Sequence, residues 1–175
     1  MLPGGHVAYT WAALNLLQRA GLFRRADYRG VALAALLPDL IDKPLAIFVL
    51  PRSNAALLFA HTLLAQVAGW ALAWSRGGRR ALPYALAFAG HLLGDRIWGF
   101  PQTFLWPARG RRFHQWRHVG SPRAFGRAYL DIIRSEPKIV LLEAIGLALL
   151  AWFVVDRKLW RPAALRRLIV EGRVD

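Results

Sequence analysis

Long apolar runs separated by short basic stretches organise this chain. Residues 1–18 contain no Asp, Glu, Lys or Arg and lead into the cluster Arg19, Arg24, Arg25 and Arg29. Gly30 to Leu50 is a second apolar run, interrupted by Pro38-Asp39-Leu40-Ile41-Asp42-Lys43-Pro44. Proline removes a backbone donor and clashes with the preceding turn, which predicts a broken or kinked helix there. Residues 53–75 carry no charged side chain and form the clearest predicted span. After the basic turn Arg76-Gly77-Gly78-Arg79-Arg80, a fourth run extends from Ala81 to about Trp106, and a fifth from Lys138 to Val155. Between these two, residues 107–137 hold seven arginines and the breakers Gly110, Gly120, Pro122 and Gly126, the texture of a peripheral basic loop with short interfacial helices. In the tail, residues 156–175, Leu159, Trp160, Leu165, Leu168 and Ile169 alternate with six basic residues. That is the pattern of an amphipathic helix on an anionic membrane surface.

The pattern predicts an all-α integral membrane bundle of four to five spans, with residues 1–155 as a single membrane-embedded domain and 156–175 as a basic tail. Composition sharpens this reading: the 175 residues are 56% hydrophobic yet carry 24 Lys+Arg against 10 Asp+Glu, a net charge of +14. Such charge, confined between apolar runs, fits a multi-pass protein of the inner (cytoplasmic) membrane with basic loops. The absence of cysteine excludes disulfides, thiolate metal sites and a cysteine nucleophile. The first residues lack a basic n-region and a small-residue cleavage site, so no cleaved signal peptide is expected.

Ionisable residues inside the apolar runs are costly and therefore point to function. His6, Asp39, Asp42, His61, His91 and Asp95 are such residues. By the positive-inside tendency the loops after the first and third runs face the cytoplasm. All six residues then fall in the outer half of an antiparallel bundle. His91 and Asp95 are spaced i, i+4, and Asp39 and Asp42 i, i+3, so each pair can share a helix face. Imidazole and carboxylate donors on facing helices are a recurrent way to hold one or two divalent ions. Each residue also has a plainer reading: Asp39 with Lys43 and Asp95 with Arg96 as ion pairs, Asp39 as a first-turn acid after Pro38, His6 as exposed, and His61 as a hydrogen-bonded polar spot. His114 and His118, in the arginine-rich loop, read as surface or substrate contacts, and Glu143 as a packing or interfacial residue. One conflict remains within this topology. If the fifth run spans, the basic tail is inside and the seven-arginine loop outside, against the usual bias.

The segments Leu36-Leu37-Pro38-Asp39-Leu40-Ile41-Asp42-Lys43-Pro44, Ala60-His61-Thr62-Leu63-Leu64 and His91-Leu92-Leu93-Gly94-Asp95, with Trp106-Pro107 beyond and His6 near the start, resemble the bacterial and archaeal membrane-bound metal-dependent hydrolases. The resemblance covers about residues 1–110. It implies an integral membrane protein with a His/Asp metal centre formed by His6, Asp39, Asp42, His61, His91 and Asp95, and a hydrolytic activity distantly like that of zinc-dependent phospholipases C. Many members carry a further His-Arg shortly before the second histidine motif, where this chain has Ala56-Leu57.

The expected function is therefore hydrolysis of a phosphoester on a membrane lipid or lipid-linked substrate through metal-activated water. The metal is zinc first, with manganese or magnesium as the other candidates. Asp39 and Asp95 are the catalytic candidates; Lys43, Arg96, Arg109 and Arg111 are the substrate-binding ones. Two other classes share these features. A metal carrier or sensor would use the same ligands with no open coordination position. A protein docking nucleic acid or a regulator would use the basic loops, but topology already accounts for loop arginines, so no nucleic-acid partner is expected.

Overall fold

The computed structural model describes residues 1–116 and 121–174, and among these every regular element is helical. Helices α1 (Pro3–Arg19), α2 (Tyr28–Pro44), α3 (Leu63–Gly77), α4 (Leu82–Gly94) and α7 (Pro137–Asp156) form the bundle. The short α5 (Pro101–Phe104), the amphipathic α6 (Pro122–Ser135) and α8 (Pro162–Glu171) complete it. α1 packs on α7 and α2, α2 on α4, and α4 on α3. The backbone N–H of Leu2 donates to Glu143 Oε1 at 2.7 Å, while Asn15 Nδ2 donates to Asp156 Oδ2 at 2.8 Å, so α1 and α7 run parallel. Likewise Tyr84 lies beside Asp27 and His91 beside Ala35, which makes α2 and α4 parallel to each other. Glu143 thus caps the start of α1, giving a partner to one of the backbone donors every helix start leaves free.

Helix boundaries differ from the sequence expectation in instructive ways. α2 continues through Pro38 to Pro44 and into a π-turn at Leu45–Val49, so the predicted break is displaced to residues 50–62. There the third run fails to become helix: Asn54 is left-handed (φ 50°), and the Asp42 carboxylate takes the N–H groups of Leu58 and Ala60 at 2.7 and 3.0 Å. Thr62 then caps α3 by accepting from Ala65 N–H at 3.0 Å. The fourth run stops at Gly94, because Arg96 is also left-handed (φ 53°).

α1 to α4 are consequently only 17, 17, 15 and 13 residues long. Among the described residues one helix, α7, is long and apolar enough by length and composition to cross a membrane. Leu33, Leu64, Val67, Leu72, Leu93, Leu141 and Leu147 are exposed, whereas His61, His91, Asp42 and Asn15 are fully buried. The tail divides its apolar residues: Leu159 and Leu168 are buried with Tyr28 and Phe153, leaving Trp160, Leu165 and Ile169 on the surface. Arg29 ties the tail down, donating to the Ile169 and Val170 carbonyls at 3.2 and 2.7 Å while gripping Asp27. That guanidinium holds the Asp27 carboxyl below its ordinary range.

Close approach of α1 and α7 depends on Gly146, where an added Cβ would lie 3.4 Å from the Tyr9 ring and 3.5 Å from Gly5 Cα. Small residues allow such contacts between helices in lipid. Gly146→Ala is expected to stay near wild type, whereas Gly146→Leu should cost about 1–3 kcal/mol by overpacking, read as a lower unfolding temperature in detergent.

Candidate metal centre

α2 and α4 end where α1 begins, and the segment before α3 crosses the same region; at this junction six polar residues gather. His61 and His91 form the centre. His91 Nδ1 lies 2.6 Å from the Ala35 carbonyl oxygen, which can only accept, so that nitrogen carries the proton. This carbonyl lies in the turn before Pro38, beside the position where proline withholds a helical donor. His61 Nδ1 is 2.7 Å from Asp42 Oδ2, its natural acceptor. In the neutral imidazoles both Nε2 atoms are then left with bare lone pairs, yet they face each other at 3.1 Å.

Two carboxylates close the set. Asp95 Oδ2 lies 3.5 and 3.3 Å from the Nε2 atoms of His61 and His91, and Asp39 Oδ1 lies 3.8 and 3.6 Å from them. Ligands about 2.0–2.1 Å from a tetrahedral zinc ion are separated by roughly 3.3 Å, close to these spacings. One ligand atom from each of Asp39, His61, His91 and Asp95 lies within 4.8 Å of all the others, and this group can hold a metal ion. A cation at its middle meets four lone pairs at once, whereas a proton on one nitrogen serves only one neighbour.

The remaining two residues of the six stand outside this group. Asp42 is fully buried and divides its oxygens among His61 and two backbone donors of residues 58–60, orienting both the imidazole and its loop. A carboxylate behind a metal-facing histidine fixes its tautomer in this way. His6 stacks on His91 with centroids 3.9 Å apart and reaches Asp95 Oδ1 at 3.1 Å, while its Nδ1 is buried without a hydrogen-bond partner. Met1 N also lies 2.7 Å from Asp95 Oδ1. Gly94 leaves room for this approach, since a Cβ there would crowd the His6 ring at 3.1 Å.

The centre opens into a cavity of about 310 Å³ that exposes Asp39 and Asp95, with Lys43 and His114 beside them and Leu57, Phe125, Tyr129, Ile132 and Ile139 on its walls. Lys43 pairs with Asp39, so the i, i+4 ion pair coexists with the cluster, and its ammonium lies over the rings of Phe125 and Tyr129 at 5.9 and 5.1 Å. Ala56 and Leu57, the two positions that depart from the hydrolase pattern, also line this cavity. Arg96, Arg109 and Arg111 are exposed and do not line it, and His118 lies outside the described residues. Sequence reasoning did not single out the aromatic wall of α6. Its signal was the i, i+4, i+7 spacing of Phe125, Tyr129 and Ile132.

A family model described as "YdjM inner membrane protein" matches residues 1–161. The chain belongs to that family. No curated protein and no solved structure matches it. The family places the chain in the inner membrane, in agreement with its charge pattern; its description supports a membrane family and not a hydrolase or phospholipase C relation.

Because Asp42 holds both His61 and its loop, Asp42→Ala is expected to weaken metal affinity about 10–100-fold. Independently of any metal, it should accelerate hydrogen exchange at the Leu58 and Ala60 amides; unchanged exchange there would refute the orienting role.

Proposed function

We propose that this protein is a membrane-bound metal-dependent hydrolase that cleaves a phosphoester of a lipidic or membrane-associated substrate. The observation that carries the reading is the convergence of two buried imidazole nitrogens with two carboxylates that open onto an apolar-walled cavity. The donor set, two nitrogens and two oxygens without sulfur, suits zinc first and manganese or magnesium next. His61, His91 and Asp95, the carboxylate nearer both imidazoles, would hold the ion and leave the position beside Asp39 open to water, with Asp42 and His6 supporting from behind. A bound ion of this kind supplies Lewis acidity and activates water near neutral pH.

The chain's own residues then divide the work. Of the two carboxylates that face the cavity, Asp39 is then the one placed to accept the proton of the attacking water. Among the polar residues of the lining, which also include Glu136, the Lys43 ammonium and the His114 ring are the groups suited to an anionic phosphoryl group. The Phe125, Ile132 and Ile139 walls offer apolar contact to acyl chains and exclude bulk water. Arg96, Arg109 and Arg111, exposed at this end of the bundle, would draw phosphate toward the mouth. A carrier or sensor has no use for a substrate-sized cavity beside its ligands, which is why catalysis is preferred.

Metal analysis of the detergent-purified protein should find one or two divalent ions per chain. His91→Ala and Asp95→Asn should each lose metal and turnover together. His114→Ala should keep the metal and at most weaken substrate binding. A folded, metal-loaded wild type that hydrolyses neither phosphomonoesters nor phosphodiesters, lipid or soluble, would favour the carrier or sensor.

The same reading sets the helices across the membrane, with the α1 start and the metal centre toward the outer face and the turns at Arg24 and Arg79 cytoplasmic. In intact cells an impermeant thiol reagent should label Gln102→Cys and spare Arg79→Cys. Labelling of residue 79 from outside would reverse the orientation.

A further inference from the structure

At the opposite end of the bundle from the metal centre, the end of α1, the α1–α2 turn, the end of α7 and the segment after α8 enclose a second cavity of about 230 Å³. Among the described residues its lining is Gln18, Arg24, Ala26, Arg157, Arg173 and Val174, three guanidinium groups with no acid among them. Cations that repel one another round a cavity need an anion or an alternative counter-charge. Among the described residues Asp27 is taken by Arg29, while Asp156 is shared by Arg19, Asn15 and, at 3.7 Å, Arg157 Nε, so one divided carboxylate serves the three guanidinium groups.

Arg157 is held ready by the interior. Its Nε donates to Asn15 Oδ1 and its Nη2 to Gln18 Oε1 at 3.3 Å. Asn15 is fully buried and anchored on Asp156, while Gln18 is fixed by donating to the Phe23 carbonyl and accepting from Tyr28 Oη at 3.0 Å. The Arg157 side chain is only 18% exposed. A guanidinium has five N–H donors in a rigid fork, so these two bonds leave others free. Planar, bidentate donation from such forks is the standard means of gripping phosphate. Basic pockets between helices on the cytoplasmic side of a membrane recognise lipid headgroups by the same chemistry.

We infer that this Arg24–Arg157–Arg173 cavity is a phosphate-binding site, separate from the metal centre and independent of any hydrolytic role. Two sources carry that chemistry, the headgroup of an anionic lipid in the adjoining leaflet and a soluble phosphate. Arg157 is the preorganised grip; Arg24 and Arg173, both exposed, close on the anion from the outside.

The test is thermal unfolding of the full-length protein in dodecyl maltoside, with phosphatidylglycerol, phosphatidylcholine or inorganic phosphate as probe. Phosphatidylglycerol is expected to raise the midpoint by about 5 °C more than phosphatidylcholine at a hundredfold excess over Kd. A matching rise with inorganic phosphate identifies a soluble anion as the source; a rise with the lipid alone identifies the headgroup. R24Q/R173Q should abolish the rise, and R157K, which keeps the charge but not the fork, should reduce it by at least half. R166Q/R167Q removes equal charge from exposed α8 positions outside the cavity and should leave the rise intact. No rise with either phosphate probe, an equal rise with phosphatidylcholine, or an equal loss in R166Q/R167Q overturns the assignment.

Discussion

Four lone pairs meeting at one helix junction are the constraint around which the rest of this molecule is arranged. His61 and His91 each spend their Nδ1 proton on a fixed acceptor, so their Nε2 atoms point at each other and at Asp39 and Asp95. Lys43 beside Asp39 and the Met1 amine beside Asp95 offset part of the negative charge, but the facing Nε2 lone pairs of the neutral imidazoles still repel each other, and burial magnifies the repulsion. The surrounding structure holds it from three sides: α2 supplies the Ala35 carbonyl and Asp42, α4 the second histidine and Asp95, and α1 the stacked His6. Helices of 13 to 17 residues serve this purpose by ending at the cluster, where their last turns offer side chains and free backbone groups.

Asp42 shows how one side chain couples fold and site. Its carboxylate replaces the helical hydrogen bonds that residues 58–60 would otherwise make and so keeps the segment irregular. The same oxygens fix His61. Non-helical backbone among apolar helices is tolerated where protein groups satisfy it, and here the satisfying group is part of the site.

The two ends of the bundle have distinct chemistry. One gathers acids and histidines beneath an apolar cavity; the other gathers arginines, ordered by Asn15 and Gln18. Parallel packing of α1 and α7 brings the C-terminal basic tail to the same end as the α1–α2 and α3–α4 turns. The segment containing α6 sits instead at the metal end, where Phe125 and Tyr129 line the cavity.

The sequence by itself determined that the chain is helical, that it belongs at a membrane, and which acids and histidines lie inside apolar runs where ionisable groups are costly. Those follow from composition and from polar residues inside apolar runs, signals that survive without knowing any contact. It also marked the tail that contains α8 as amphipathic. Only the tertiary structure divided the six residues into an inner four and the supporting Asp42 and His6, because that division rests on which imidazole nitrogen each partner occupies. Helix ends shifted for a similar reason. Apolar runs at 53–62 and 95–106 look continuous in sequence, yet a carboxylate from α2 and a left-handed Arg96 end them. The arginine cavity was illegible because its members, Arg24, Arg157 and Arg173, are scattered along the chain and look like ordinary loop charges until Asn15 and Gln18 aim one of them inward.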